Sequence, residues 1–198
     1  MSKDNEVLES ALRFLDNRLR ANREEPVGIL VCGGSAMIAM NLVSRVTRDV
    51  DILALVDSQN NLISPAPLPD SLKEASIQVA EILDLERDWL NNGPSGNSGG
   101  LFQMGLPDGL FNRSTLKKYG SHLTVFYISR IDQIHLKVYA SVDSGGKHVG
   151  DLLAMRPTIE ELVVAADWCM THDVSEPFRN LLIDMYRQLG FEDAANKL

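Results

Sequence analysis

With 198 residues, 44% of them hydrophobic and 23% charged, the chain has room for one domain with its own core, or for a small core carrying a helical appendage. A formal net charge of -8 and a pI near 5.0 argue against a broadly basic nucleic-acid-binding surface. No stretch reaches the length of a membrane span and the opening MSKDNEVLES lacks the basic-then-apolar plan of a secretory signal, so a cytoplasmic protein with no membrane partner is expected.

Asn5 to Glu25 predicts an amphipathic helix with Leu8, Ala11, Leu12, Leu15 and Leu19 on one face, ended by Pro26. The β-branched run from Val27 to Cys32 predicts a buried strand entering a tight Gly33-Gly34 turn, after which Ser35 opens a compact apolar helix. A second strand is expected from Val50 to Val56, with Asp49 and Asp51 at its start. On an extended backbone, side chains two residues apart share a face, about 6.5 to 7 Å from one another. Two carboxylates that close stay ionised only beside a compensating cation, and oxygen donors suit magnesium or manganese. The Gly33-Gly34-Ser35 turn offers the complementary half: backbone N–H donors, no Cβ to block a phosphate, and a hydroxyl.

A Gly-Gly-Ser turn closing one strand, followed by Asp-x-Asp at the start of the next, resembles the nucleotidyltransferase superfamily. The resemblance implies an α/β (α+β) fold with a small mixed sheet flanked by helices. It also implies metal-dependent transfer of a nucleoside monophosphate from a nucleoside triphosphate to an acceptor that the sequence does not identify: RNA, protein or a small molecule. Asp49 and Asp51 would hold Mg2+ or Mn2+, and Gly33, Gly34 and Ser35 would grip the triphosphate.

Asp57 to Pro69, rich in Asn, Ser and Pro, reads as a loop, with Asp57 a turn residue. Ser71 and Glu74 have capping-box spacing ahead of a long helix to about Leu90, its face marked by Leu72, Ala75, Val79, Ile82 and Trp89. The glycine, serine and asparagine of residues 91–100 predict a mobile stretch without a packed element. Residues 101–120 read either as a solvated loop with a short helix or as a wall of the nucleotide or acceptor site, with Arg113, Lys117 and Lys118 near phosphates. His122 to Ser129 predicts a third strand. It carries no acid, whereas many nucleotidyltransferases place a third metal-binding carboxylate on a strand near the first pair.

Ile131 to Val142 predicts a largely buried helix on which Lys137 either carries its ammonium out to water or faces an anion. Asp151 opens a short apolar segment after the loop at residues 144–150. This arrangement, with a Pro-Thr-led helix after it, resembles AbiEii-type and DUF6036-type nucleotidyltransferases; Trp89-Leu90-Asn91-Asn92 and Leu106-Pro107-Asp108-Gly109 resemble the latter group. The likeness, spanning about residues 27–168, implies catalytic roles for Lys137 and Asp151, and a cognate protein partner of the toxin and antitoxin kind. A non-catalytic nucleotide-binding protein of the same fold is the alternative. Thr158 with Glu161 predicts a capping box, and Ser175 caps a last helix, Glu176 to Leu189. The expected division is a core over residues 1–143 and a helical segment over 144–198. Cys32 and Cys169 read as buried packing groups, and the four histidines have no shared metal spacing.

Overall fold

The computed structural model describes residues 3–43, 46–96 and 100–198, with the backbone alone for residues 3–5. Among these residues the chain is an α+β protein of two compact units, one ending at Ser129 and the other spanning Arg130–Leu198. The division falls earlier than residue 143 because the helix Arg130–Ser144 packs with the helices that follow it.

The first unit is a mixed sheet with helices. Its strands are β1 (Val27–Cys32), β2 (Val50–Val56), β3 (Leu62–Ile63), β4 (Leu90–Asn91), β5 (Thr115–Lys118) and β6 (Leu123–Tyr127), in the order β3-β2-β1-β6-β5 with β4 also pairing with β2. β1 runs antiparallel to β2 and parallel to β6. Its helices are α1 (Lys3–Ala21), α2 (Gly33–Ala39), α3 (Asp70–Leu83) and α4 (Leu101–Met104). Ile29, Val31, Val50, Ile52, Val125 and Tyr127 form one cluster with the leucine stripe of α1 and with Leu72, Ala75 and Val79 of α3. Each fully buried leucine contributes about 1.5–3 kcal/mol, so packing rather than intrinsic helix propensity holds α1 in place.

Several expectations change. α1 stops at Ala21 rather than Glu25: Arg23 takes a left-handed φ of 60° and Glu24 N–H donates back to the Leu19 carbonyl, ending the helix before Pro26 is reached. α3 begins behind Pro69, so Ser71 lies inside the first turn and makes no cap; it ends at Leu83 because Asp84 is left-handed at φ 54°. Trp89 is therefore not helical. It is buried from an extended segment, and its indole Nε1 donates to the Ser76 carbonyl at 3.0 Å.

Residues 91–96 are also packed rather than loose. Asn91 pairs with Asp51 in the sheet, and residues Gly93–Ser95 form a 3-10 turn with Ser95 fully buried. Between Leu30 and Val31 the β1–β2 register skips from Ala54 to Ile52, so Leu53 is a bulge residue outside the ladder. The Ser95 hydroxyl donates to the Leu53 carbonyl at 2.9 Å, satisfying a group that the bulge would orphan. The rest of the expected mobile stretch, residues 97–99, lies outside the described residues. Asp57 is the expected turn residue: it accepts from Gln59 N–H and from both amides of Asn61, whose side-chain hydrogen bond foremost lowers its pKa. The stretch expected to be loop and short helix ends in β5, an edge strand carrying Lys117 and Lys118.

The second unit is helical: α5 (Arg130–Ser144), α6 (Lys147–Ala154), α7 (Ile159–Met170), α8 (Glu176–Gln188) and α9 (Glu192–Ala195). The Thr158–Glu161 capping box forms, and Ser175 caps α8. Arg130 donates to the Met155 and Arg156 carbonyls and grips Glu161 with both terminal nitrogens, at 2.5 and 3.1 Å; that hydrogen bonding holds the Glu161 carboxyl below its usual range. No helix among the described residues is long and apolar enough to cross a membrane.

Candidate functional site

β1 runs straight into α2, and the junction is Gly33 at φ +70°, a left-handed backbone that glycine adopts without strain. The N-cap residue Cys32 is extended and makes no side-chain cap hydrogen bond, while Gly34 is buried in the first helical turn. Antiparallel pairing sets Cys32 opposite Asp51. The two halves of the sequence pattern, the Gly-Gly-Ser turn and the Asp-x-Asp pair, are thereby joined at one end of the β1–β2 ladder.

Gly33 has a second reason to be glycine. A Cβ there would collide with Asp51 Oδ2 and approach its Cγ to 3.3 Å, so the missing side chain makes room for the carboxylate. The sequence reading had assigned the glycines to phosphate approach alone. Gly33→Ala is expected to cost about 1–3 kcal/mol in backbone strain and to displace Asp51 as well. Chemical denaturation checks the first effect; unchanged stability would show that the turn relaxes without Asp51.

Asp49 stands one residue ahead of β2, so its direction is fixed by a neighbour rather than by the pleat: the Thr47 hydroxyl donates to its Oδ1 at 2.7 Å. Val50 and Ile52 face the α1 core, so Asp51, between them, lies on the other face of the sheet, with Asn91 beside it on β4. Both carboxylates are partly exposed. Thr47 and Asn91 escaped the sequence reading; the Thr-x-Asp spacing was the only local signal, and Asn91 is placed by strand pairing across forty residues.

Among the described residues no group of three or more His, Cys, Asp or Glu side chains is arranged to hold a metal ion. The donor set offered here is therefore two carboxylates. That chemistry fits magnesium, which is commonly held by one or two carboxylates with substrate phosphates and water completing its shell. Ser35 keeps a buried hydroxyl without a hydrogen-bond partner among the described residues.

Lys137 and Asp151 belong to the second unit, where they meet. The Lys137 ammonium lies 2.8 Å from Asp151 Oδ2, the side chains being 7% and 4% exposed, and it also approaches His148 Nδ1 at 3.4 Å. Asp151 sits within α6 rather than at the start of a segment, because Gly145 and Gly146, both at positive φ, turn the chain out of α5 and let α6 begin at Lys147. Lys137 thus neither snorkels to water nor stands alone before an anion. No protein-family model, curated protein or solved structure matches the chain.

Proposed function

We propose that the chain is a metal-dependent nucleotidyltransferase whose transfer centre is built in the first unit from Gly33, Gly34, Ser35, Asp49 and Asp51. The observation that carries the reading is the β1–β2 register, which sets Asp51 opposite Cys32 and against the open side of Gly33. In that arrangement a carboxylate pair and a phosphate-accepting backbone turn face one reacting group. Asp49 and Asp51 would hold Mg2+ or Mn2+, which supplies charge neutralisation for the phosphates during displacement. The acceptor's oxygen or nitrogen forms a bond to the α-phosphorus, the bond from that phosphorus to the bridging oxygen breaks, and pyrophosphate leaves with the electron pair. Thr47 keeps Asp49 in one orientation throughout.

The acid-free β6, paired beside β1, favours one other reading, a protein of this fold that binds nucleotide without turnover. Incubation of the purified chain with each labelled nucleoside triphosphate, magnesium or manganese, and an RNA and protein extract separates the two. Labelled product that disappears with chelator is the expected result. Metal-dependent binding without product would favour the non-catalytic reading, and neither binding nor product would contradict both.

A further inference from the structure

The first unit contains a cavity of about 340 Å³ under α1, on the lower edge of the size range of small-molecule sites. Its apolar wall comes from Leu8, Leu12, Ile38 and Val50, and its polar lining includes Ser35, Thr47 and Tyr127. A proton inventory of that lining specifies what it can recognise. Lys117 Nζ donates to both oxygens of Glu9 at 2.7 Å, cancelling the carboxylate charge, and Tyr119 gives its one phenolic proton to Glu9 Oε1 at 2.9 Å. The 2.7 Å contact between the two phenols must then be a donation from Tyr127 to the Tyr119 oxygen. Tyr127 is left with lone pairs only. Thr47 is in the same state, its proton committed to Asp49.

Burial holds both phenols protonated: Tyr127 is pushed up to about 12 and Tyr119 higher still, so the inventory holds throughout the neutral pH range. The cavity therefore presents committed acceptors, Tyr127 and Thr47, and a ligand meeting them must donate a hydrogen bond. A carboxylate brings no donor. An ammonium brings donors but also a charge, into a lining where Glu9 and Lys117 cancel and Arg13 leaves one positive charge over. The Ser35 hydroxyl, buried without a partner among the described residues, lies in the same lining. We propose that this cavity is a binding site for a small uncharged alcohol or phenol, its hydroxyl donating at Tyr127 and Thr47 and its apolar body resting on the α1 wall. The inference does not depend on the transfer reaction, since binding is read without nucleotide.

Cyclohexanol and phenol, titrated into the full chain and followed by amide chemical shifts, are the probes, with cyclohexanecarboxylate, benzoate and cyclohexylammonium as the contrasting arms. The hydroxyl compounds are expected to bind at least about tenfold more tightly than the ions and to shift amides of α1 and α2. Tyr127→Phe and Thr47→Val should each weaken phenol by about fivefold, the worth of one neutral hydrogen bond. Absence of hydroxyl-compound binding, an equal or better carboxylate or ammonium, or undiminished binding in both folded variants would each overturn the proposal. Should Tyr127→Phe fail to fold, the near-isosteric Thr47→Val decides alone.

Discussion

Asp151→Leu is expected to destabilise the protein by about 3–5 kcal/mol, because it leaves the Lys137 ammonium buried without its counter-charge. The direction follows from an asymmetry. Attraction between two buried charges roughly offsets the cost of removing them from water, but removing one partner leaves the other's desolvation wholly uncompensated. Lys137→Met should therefore cost a similar amount by stranding Asp151. The double variant, Lys137→Met with Asp151→Leu, should recover most of the loss, since an apolar pair of similar volume needs no compensation. Chemical denaturation of the four proteins measures this directly. Single variants within about 1 kcal/mol of the parent, with additive effects in the double, would mean that water reaches the pair. The same double variant also separates folding from chemistry. If it is folded and has lost nucleotidyl transfer, the two charges serve the reaction, as the resemblance to AbiEii-type proteins implies.

The parts of the fold legible in the sequence are those governed by local chemistry. β1, β2 and β6 are written as β-branched and aromatic runs, and the caps Thr158 and Ser175 stand where they form, because each needs only residues three positions away. The parts that were illegible depend on distant partners. Trp89 continues the apolar period of α3 and so reads as helix, yet it reaches Ser76 from an extended segment after Asp84 has ended that helix without a glycine. Ser95 reads as loop and is fully buried, because its role, capping the carbonyl of a bulge at Leu53, exists only once β2 has formed. For the candidate site, the residue types and the strand-turn-helix-strand order were readable. The contact between Gly33 and Asp51 was not, since it follows from the antiparallel register rather than from any spacing along the chain.

Asp51→Asn carries the largest expected effect on function. The substitution preserves shape and removes one of the two negative charges proposed to hold the metal, so divalent-dependent nucleotide affinity should fall at least about 100-fold; loss of an outer-shell partner alone commonly costs 10–100-fold. Asp51 is partly exposed and its carboxamide isostere refills the space beside Gly33, so stability should change by no more than about 1 kcal/mol. Asp49→Asn should act in the same direction, with Thr47 losing a charged acceptor.

The most direct measurement is calorimetric titration of the parent and the Asp51→Asn protein with each nucleoside triphosphate, in magnesium, in manganese and in chelator, alongside their unfolding curves. The account predicts binding by the parent of at least one nucleotide, its loss in chelator, and its loss in a fully folded Asp51→Asn protein. Equal metal-dependent binding by parent and folded Asp51→Asn would contradict it.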